Sequence, residues 1–481
     1  MFRIIEGNPK NLSDVEEFIK FINRPSENFR DFFDDENDIF IGRVPGRLDV
    51  MGGIADYSGS LVLEMPTAEA TLTALQKTVE RTLKIFSLSD HGNLLFEMKL
   101  AEFESGGEPI FYDKAREYFS QKAEDHWASY VAGVFLVLMR EKKFRFSQGA
   151  KILISSKVPR GKGVSSSAAL EVSTMQAVAA AFGIELSGKE TANLCQKVEN
   201  LIVGAACGVM DQMTSACGVE NRLMAMLCQP AELQAPIKIP DEIEFWGIDS
   251  GVRHAVVGAD YGSVRVGAFM GFRIISEIAG LKIENLEENR VKIEDLRWNN
   301  SLSNVMPSEF EQYFADKIPE KISGREFLQK YHGTTDAVTK IEPEKVYSVK
   351  KPTAHAVYEH FRVRAFAEIL KSGLNENKLN LLGELMFQSH ASYAACGLCE
   401  RGTNLLVELV RQDNGENLFG AKITGGGSGG TVAVLASRGS ENEIKKIVER
   451  YEAETNLNSY IFKDSSPGAF EFGTLRLRNI L

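Results

Sequence analysis

The segment Gly161-Lys162-Gly163-Val164-Ser165-Ser166-Ser167 joins glycine backbone to a run of hydroxyls, directly before a stretch of helix-forming residues. Glycines let a main chain approach an anion closely, and a helix N-terminus offers unsatisfied N–H groups and a positive dipole end. Serine hydroxyls there can donate to phosphate oxygens or ligate Mg²⁺. The order is not that of a Walker A loop, which needs Gly-Lys-Ser/Thr after four spacers. Taken alone, the loop is equally a serine N-cap behind a glycine turn. A second run, Gly425-Gly426-Gly427-Ser428-Gly429-Gly430, contains GxGxxG, but Thr431-Val432-Ala433-Val434-Leu435 after it is strand-like, so the dinucleotide reading fails. A glycine run between two strands lets a backbone press against a ligand or another loop, or forms a plain hairpin. Cys396 and Cys399 form a CxxC with no second pair, which reads as two buried thiols rather than a zinc or redox centre.

The elements around these loops follow from residue periodicity. Lys151–Ser156 is an apolar strand running into Val158-Pro159-Arg160-Gly161, which must be a loop. From Ser165, Ala168, Val172, Met175 and Ala179 recur at helical spacing until Gly183, a C-terminal cap. A second helix opens at Ser187 with Glu190 three residues on, carries Leu194, Val198, Leu201 and Ile202 as its stripe, and ends at Gly204. Cys207–Cys217 is again a loop entering a helix. Upstream, Asp38–Ile41 reads as a short strand before a Gly- and Pro-punctuated loop from Gly42 to Ser60. The C-terminal part orders helix (Thr403–Arg411), strand (Phe419–Thr424), glycine loop, strand (Thr431–Ala436), helix (Asn442–Glu454) and two closing strands, an α+β layer. Residues 283–343 are charge-rich, mostly helical in pattern and carry no chemical motif.

A chain of 481 residues exceeds what one core serves, so we expect two domains, 1–235 and 236–481 with the 283–343 insertion, divided near Pro236. The net charge of −11 argues against a nucleic-acid partner, though a local basic cluster can hold a nucleotide. Nothing in MFRIIEGNPK suggests a signal peptide, and the best apolar run, Tyr130–Met139, is too short for a membrane span. Six cysteines in a chain this long make no disulfide scaffold, and the cytoplasm is the expected location.

Three segments in order, Pro45–Tyr57, Pro159–Ala169 and Lys422–Gly430, resemble the signatures of the GHMP kinases. Trp127-Ala128-Ser129-Tyr130, Cys207-Gly208-Val209-Met210-Asp211-Gln212, Val252-Arg253-His254 and Asp260-Tyr261 resemble the galactokinase branch. Asp49-Val50-Met51-Gly52-Gly53-Ile54-Ala55-Asp56-Tyr57, Cys207–Gly218 and Trp246–Gly251 look like the kinase portion of plant-type L-arabinokinases. The resemblance implies an N-terminal domain with a left-handed βαβ crossover, a ferredoxin-like C-terminal domain and a site in the cleft between them. It implies that Gly161, Lys162, Gly163, Val164, Ser165, Ser166 and Ser167 wrap ATP, with Trp127 beside the adenine, and that Ser167 and Glu199 hold Mg²⁺. Without the motif, Glu199 beside Val198 would read as a solvated helix carboxylate. Gly425, Gly426, Gly427 and Gly429 would support the phosphate loop. Asp211 and Arg47 would form the catalytic pair. Asp211 acts there as a base assisted by Arg47, or only orients and stabilises charge. Asp56, Gly208 and Tyr261 would meet the sugar.

One departure bears on the substrate. Galactokinases carry Glu-His where this chain has Gly53 and Ile54, and in that family the pair approaches the exocyclic C6 hydroxyl. L-Arabinopyranose has the ring configuration of D-galactose without that CH₂OH, and a polar pair left unmatched there would cost about 1–3 kcal/mol. The resemblance therefore implies a small-molecule kinase acting on the anomeric hydroxyl of L-arabinose, with galactose or another galacto-configured sugar as runner-up. Intact Arg47, Ser167, Glu199 and Asp211 argue against a non-catalytic sensor of sugar and ATP, and Tyr261 after Val252-Arg253-His254 favours the sugar branch over a kinase for mevalonate or homoserine.

Overall fold

The computed structural model describes the chain apart from residues 26–28, 30, 89–91, 253–260, 288, 414–416 and 481. Arg253, His254 and Asp260, which contribute to the resemblance, lie outside the described residues.

A ten-stranded sheet dominates the N-terminal half. Along its main path the order is Phe2–Glu6, Thr474–Asn479, Ile39–Met51, Leu61–Thr78, Gly149–Ser156, Thr82–Leu88 and Leu94–Lys99. Thr82–Leu88 runs parallel to Gly149–Ser156, and the other neighbours along this path are antiparallel. The final strand departs from the expected split near residue 236: Thr474–Asn479 returns to the first sheet, between the first two N-terminal strands. Ile39–Met51 also runs far past the expected end at Ile41. Gly and Pro interrupt the pattern there without breaking the strand, because register shifts at Pro45/Arg47 and Asp49/Met51 absorb them as bulges. Those bulges aim Arg47 and Asp49 inward.

Helix Ser166–Phe182 lies directly on this strand. A Cβ at Gly42 would stand 2.6 Å from the Ser173 carbonyl oxygen, so only glycine permits the approach. Gly183, at φ 68°, ends the helix. The next helix, Gly188–Lys197, is capped by Ser187, whose hydroxyl accepts from the Glu190 N–H at 3.2 Å. It continues into a π-helical turn, Val198–Val203, closed by Gly204 at φ 91°. Helix Met210–Cys217 follows.

The second sheet orders Leu418–Ile423, Thr431–Ser437, Ile243–Asp249 and Ile461–Phe462. Helices Arg401–Gln412 and Glu441–Thr455 pack one core against it, with Leu406, Val410, Ile444 and Tyr451 buried. Residues 283–343 are mixed rather than mostly helical. They hold the hairpin Lys282–Asn285 with Val291–Glu294, short helices Pro307–Tyr313 and Gly324–Tyr331, and a strand Lys321–Ser323 paired with Val346–Ser348. Buried Trp298, Phe310, Phe327 and Tyr347 give this insertion its own core against helix Tyr261–Ile278. Asp336 is buried there and pairs with Arg265 of that helix at 2.7 Å. Among the described residues, no helix is long and apolar enough to cross a membrane.

Candidate active site

Three successive carbonyls of the glycine-serine loop point into the protein. Lys162 O accepts from the Thr431 hydroxyl at 2.7 Å, Gly163 O from Arg47 Nη1 at 2.6 Å and the Thr424 hydroxyl at 3.1 Å, and Val164 O from the Arg47 N–H at 3.1 Å. Across a planar trans peptide the following N–H points the opposite way. The N–H groups of Gly163, Val164 and Ser165 are thus turned away from the wall, just ahead of the helix N-terminus, an arrangement that accepts an anion. Holding it requires left-handed backbone at Gly161, Gly163 and Ser165, the last a strained position for a residue with a side chain. The C-terminal glycine run supplies the close fit. Cβ atoms at Gly430 and Gly425 would lie 2.8 Å from Lys162 O and 2.9 Å from Arg47 Nη2. Lys162 itself forms an ion pair with Asp249, at the end of a strand in the second sheet.

Arg47 grips Asp211 with two hydrogen bonds, Nε to Oδ1 at 2.9 Å and Nη2 to Oδ2 at 3.0 Å. Ser165 donates a third to Oδ2. Burial opposes the charge on Arg47, but the carboxylates of Asp211, Glu64 and Asp49 outweigh it and raise the pKa of the guanidinium. Asp211 keeps about a fifth of its side chain exposed, at 21%. A carboxylate has four lone-pair directions, so room remains for a substrate hydroxyl.

Behind this pair lies a charge cluster that sequence reasoning missed. Asp49 and Glu64 face each other across the strands and are fully buried with Lys422. Lys422 Nζ meets Asp49 Oδ2 at 2.9 Å, and the same oxygen accepts from the Gly425 N–H at 3.1 Å and the Tyr393 hydroxyl at 3.3 Å. Glu64 Oε2 is 3.3 Å from Arg47 Nε, and burial with Asp49 alongside pushes its pKa well up. One carboxylate thereby fastens the first sheet to the second beneath the site. The available signal was a lone acid inside the apolar run Leu61-Val62-Leu63-Glu64-Met65.

A cavity of about 590 Å³ opens above, lined by Arg47, Asp211, Glu199, Asp56, Tyr261 and Gly208 among others. Asp56 accepts from the Tyr261 hydroxyl at 3.4 Å, and Tyr261 packs edge-on against Tyr57 at 5.5 Å. Gly208 makes room for that carboxylate, since a Cβ there would fall 1.6 Å from Asp56 Oδ2. Gly53 and Ile54 do not line the cavity. A Cβ on Gly53 would sit 1.9 Å from the Tyr393 hydroxyl and 2.2 Å from Asp49 Oδ2. Ile54 is buried among Val264, Tyr393, Leu398 and Ile423. Trp127 is half-buried against the N-terminal core and stays off the cavity lining. Conversely, Thr339, Lys340, Glu342, Lys345 and Tyr347 of the insertion and its edge do line it.

Burial raises Asp56 from the ordinary carboxylate range to about 6, partly offset by the Tyr57 N–H and Arg265. A raised acid destabilises the fold once the pH exceeds its unfolded pKa, and a shift of about 2 units is worth about 3 kcal/mol at pH 7. Asp56→Asn should therefore raise stability at pH 7 by up to about 3 kcal/mol, with the gain vanishing near pH 4. Denaturant melts at the two pH values would check this. An unchanged or lower midpoint at pH 7 would contradict it.

Glu199 follows Cys195 by four residues and Ala192 by seven, so it continues the buried face of the helix into the π turn. It accepts from Gln212 Nε2 at 2.6 Å and from the Ser167 hydroxyl. Burial, then the nearby Asp211, raise it to about 7. A buried oxygen-only pair with this excess of negative character is suited to a hard cation. Burial pushes the Cys396 and Cys399 thiols up to about 12.

Family models match in three places: the GHMP kinases N-terminal domain at residues 129–219, the GHMP kinases C-terminal domain at 370–453, and the galactokinase galactose-binding signature at 27–77. The chain is 44% identical over 99% of its length to an L-arabinokinase of Arabidopsis thaliana, and spans 52% of that protein. It is 30% identical to a galactokinase of Haemophilus influenzae, over 87% of this chain and 91% of the relative. The fold matches Lactococcus lactis galactokinase, solved with galactose, at a TM-score of 0.71 and 20% identity, covering 94% of this chain and 99% of that one. A mevalonate kinase of Methanococcus jannaschii matches at a TM-score of 0.54 and 14% identity, over 89% and 98%. All three signatures meet in the geometry above, Arg47 from the first, Gly163 from the second and Gly425 from the third. The chain belongs to the GHMP kinases, in the branch that contains the galactokinases.

Proposed function

We propose that the chain is an ATP-dependent sugar 1-kinase whose substrate is L-arabinose, giving L-arabinose 1-phosphate. The observation that carries the catalytic part is the bidentate Arg47–Asp211 pair, set between an anion-accepting loop and a cavity with the hydroxyl partners Asp56 and Tyr261. Phosphoryl transfer asks chiefly for positioning and charge neutralisation. The loop at Gly163–Ser167 holds the nucleotide's phosphates, and Asp211 accepts the hydrogen bond of the anomeric hydroxyl. Arg47, positive and buried, faces the charge that develops on the transferred group. Glu199 and Ser167 would hold Mg²⁺, which supplies charge neutralisation on the phosphate oxygens. We place the enzyme in the cytoplasm, in keeping with six free thiols.

The choice of pentose rests on Gly53. Its Cβ position is already taken by the Tyr393 hydroxyl, so the acidic side chain that reads C6 in galactokinases has no space. D-Galactose is the second reading, favoured by the galactose-binding signature at 27–77. ATP turnover on L-arabinose, D-galactose, L-fucose, D-glucuronate and mevalonate at equal concentrations tests both. A kcat/KM preference for L-arabinose of roughly tenfold or more is expected, the size one lost hydrogen-bonding group confers. Preference for D-galactose would replace the substrate, and no turnover on any sugar would remove the kinase.

A further inference from the structure

Burying an ion pair strips water from both charges, and the attraction regained often does no more than offset that cost. A pair that is buried, forked and set beside a binding site therefore points to a positional use. Arg265 and Asp336 form such a pair. Asp336, in the insertion, accepts from Arg265 Nε at 2.9 Å and from Nη2 at 2.7 Å, and both side chains are almost fully buried. The same carboxylate accepts from the N–H groups of Val338 and Thr339 at 3.0 and 3.2 Å, and from the Thr339 hydroxyl. Thr339 lines the cavity. On the other side, Arg265 stands one helical turn after Tyr261, on the same face of helix Tyr261–Ile278. Both reach Tyr57: the Arg265 guanidinium lies over its ring at 5.5 Å, and the Tyr261 ring meets it edge-on at 5.5 Å. Tyr57 donates its N–H to the neighbouring Asp56, which also accepts from the Tyr261 hydroxyl. Burial raises the Asp56 carboxyl, and the positive charge of Arg265 counters it. Contacts thus run from the insertion through Asp336 and Arg265 to the sugar-facing carboxylate. Arg265 and Asp336 lie outside the regions matched by family models, 27–77, 129–219 and 370–453.

We propose that Arg265 and Asp336 are positioning residues for the sugar site: Asp336 fixes the guanidinium, and Arg265 holds Tyr57 and keeps a positive charge beside the Asp56 carboxylate. The inference rests on the sugar-kinase reading, in which Asp56 accepts the hydrogens of ring hydroxyls, and adds what holds that acceptor in place. A carboxylate is acceptor-only and binds hydroxyl hydrogens more strongly than a neutral acid does, so a fixed cation beside it favours a polyhydroxyl ligand. The insertion thereby acts on the sugar through Arg265.

Removing one partner alone would strand a buried charge, so the test neutralises both, with Arg265→Met and Asp336→Asn in one variant. L-Arabinose binding is measured by calorimetry with a non-hydrolysable ATP analogue, and turnover kinetics alongside. The neutral pair should weaken sugar binding roughly tenfold and raise the sugar KM to match, with kcat and the KM for ATP unchanged, because Asp56 holds the sugar alike before and during transfer. In an Asp56→Asn background the loss should vanish, whereas a merely structural pair would cost the same in both. A second comparison needs no sugar. At pH 8, the rise in denaturant midpoint from Asp56→Asn should be larger in the neutral-pair variant than in the wild type, since the carboxylate there has lost its counter-charge. Arg265→Lys keeps the charge without the fork and should weaken sugar binding a few-fold, which carries the test if the neutral pair does not fold. Wild-type sugar affinity in either variant would overturn the proposal, as would a loss of equal size in the Asp56→Asn background. Coupled midpoints in a protein that binds no sugar would sink the kinase reading and leave the link from Arg265 to Asp56 in place. Sugar turnover with additive midpoints would do the reverse.

Discussion

Replacing Asp211 by Asn should lower kcat by about 100- to 10,000-fold while leaving ATP affinity within a few-fold. The carboxylate sits where three signatures meet, with Arg47 on both oxygens and Ser165 on one. Asn preserves the shape but offers one acceptor in place of two, and puts an amide against a guanidinium. It can neither accept the hydroxyl proton nor carry the negative charge that orients it. The fold should survive, because Arg47 retains the buried Asp49 nearby as a counter-charge and Gly163 O as a hydrogen-bond acceptor. Single-turnover kinetics with a thermal melt would separate a chemical defect from unfolding. Turnover near that of the wild type would remove Asp211 from the mechanism, whether as base or as orienting charge.

Restoring the galactokinase-like pair, Gly53→Glu with Ile54→His, should unfold the site rather than convert the sugar preference. The expected cost exceeds about 4 kcal/mol, because two severe mechanisms combine. A side chain at 53 begins 1.9 Å from the Tyr393 hydroxyl and 2.2 Å from Asp49 Oδ2, inside closest approach. The new carboxylate would also join Asp49 and Glu64, both fully buried, with Lys422 and Arg47 already engaged. At position 54 a histidine would be buried in an apolar cluster, at a backbone φ of 50°. Gly53→Ala alone isolates the steric part, and pairing it with Tyr393→Phe should recover some of the loss by removing the nearer atom. Denaturant melts would measure all four proteins. A Glu-His variant that melts like the wild type and prefers D-galactose would show that position 53 reaches the sugar.

Much of the site is legible in the residues alone. Gly183 and Ser187 bound their helices as local backbone rules require, and the strand after Gly430 excludes a dinucleotide fold. Arg47, Ser165 and Asp211 carry a motif, and they converge. The failures are of a different kind. Pro45 and Gly46 look like breakers, because a bulge that keeps a strand going depends on the partner strand Leu61–Thr78 and not on local preference. Glu199 looks solvated, because a lone carboxylate usually is and its partners Gln212 and Ser167 come from other helices.

Local spacing by itself determined where the glycine-serine loop turns, where its helix starts and stops, and which acids and bases were available. Those properties depend on backbone preferences within a few residues. Only the tertiary structure decided that Gly53 faces Tyr393 and Asp49 instead of the cavity, and that Lys422 and Glu64 underlie Arg47. It alone brought Thr339, Lys340, Glu342, Lys345 and Tyr347 to the cavity that Asp56 and Asp211 line. Each of these pairings joins residues far apart in the chain, and such contacts are settled by packing, burial and charge balance that no local window contains.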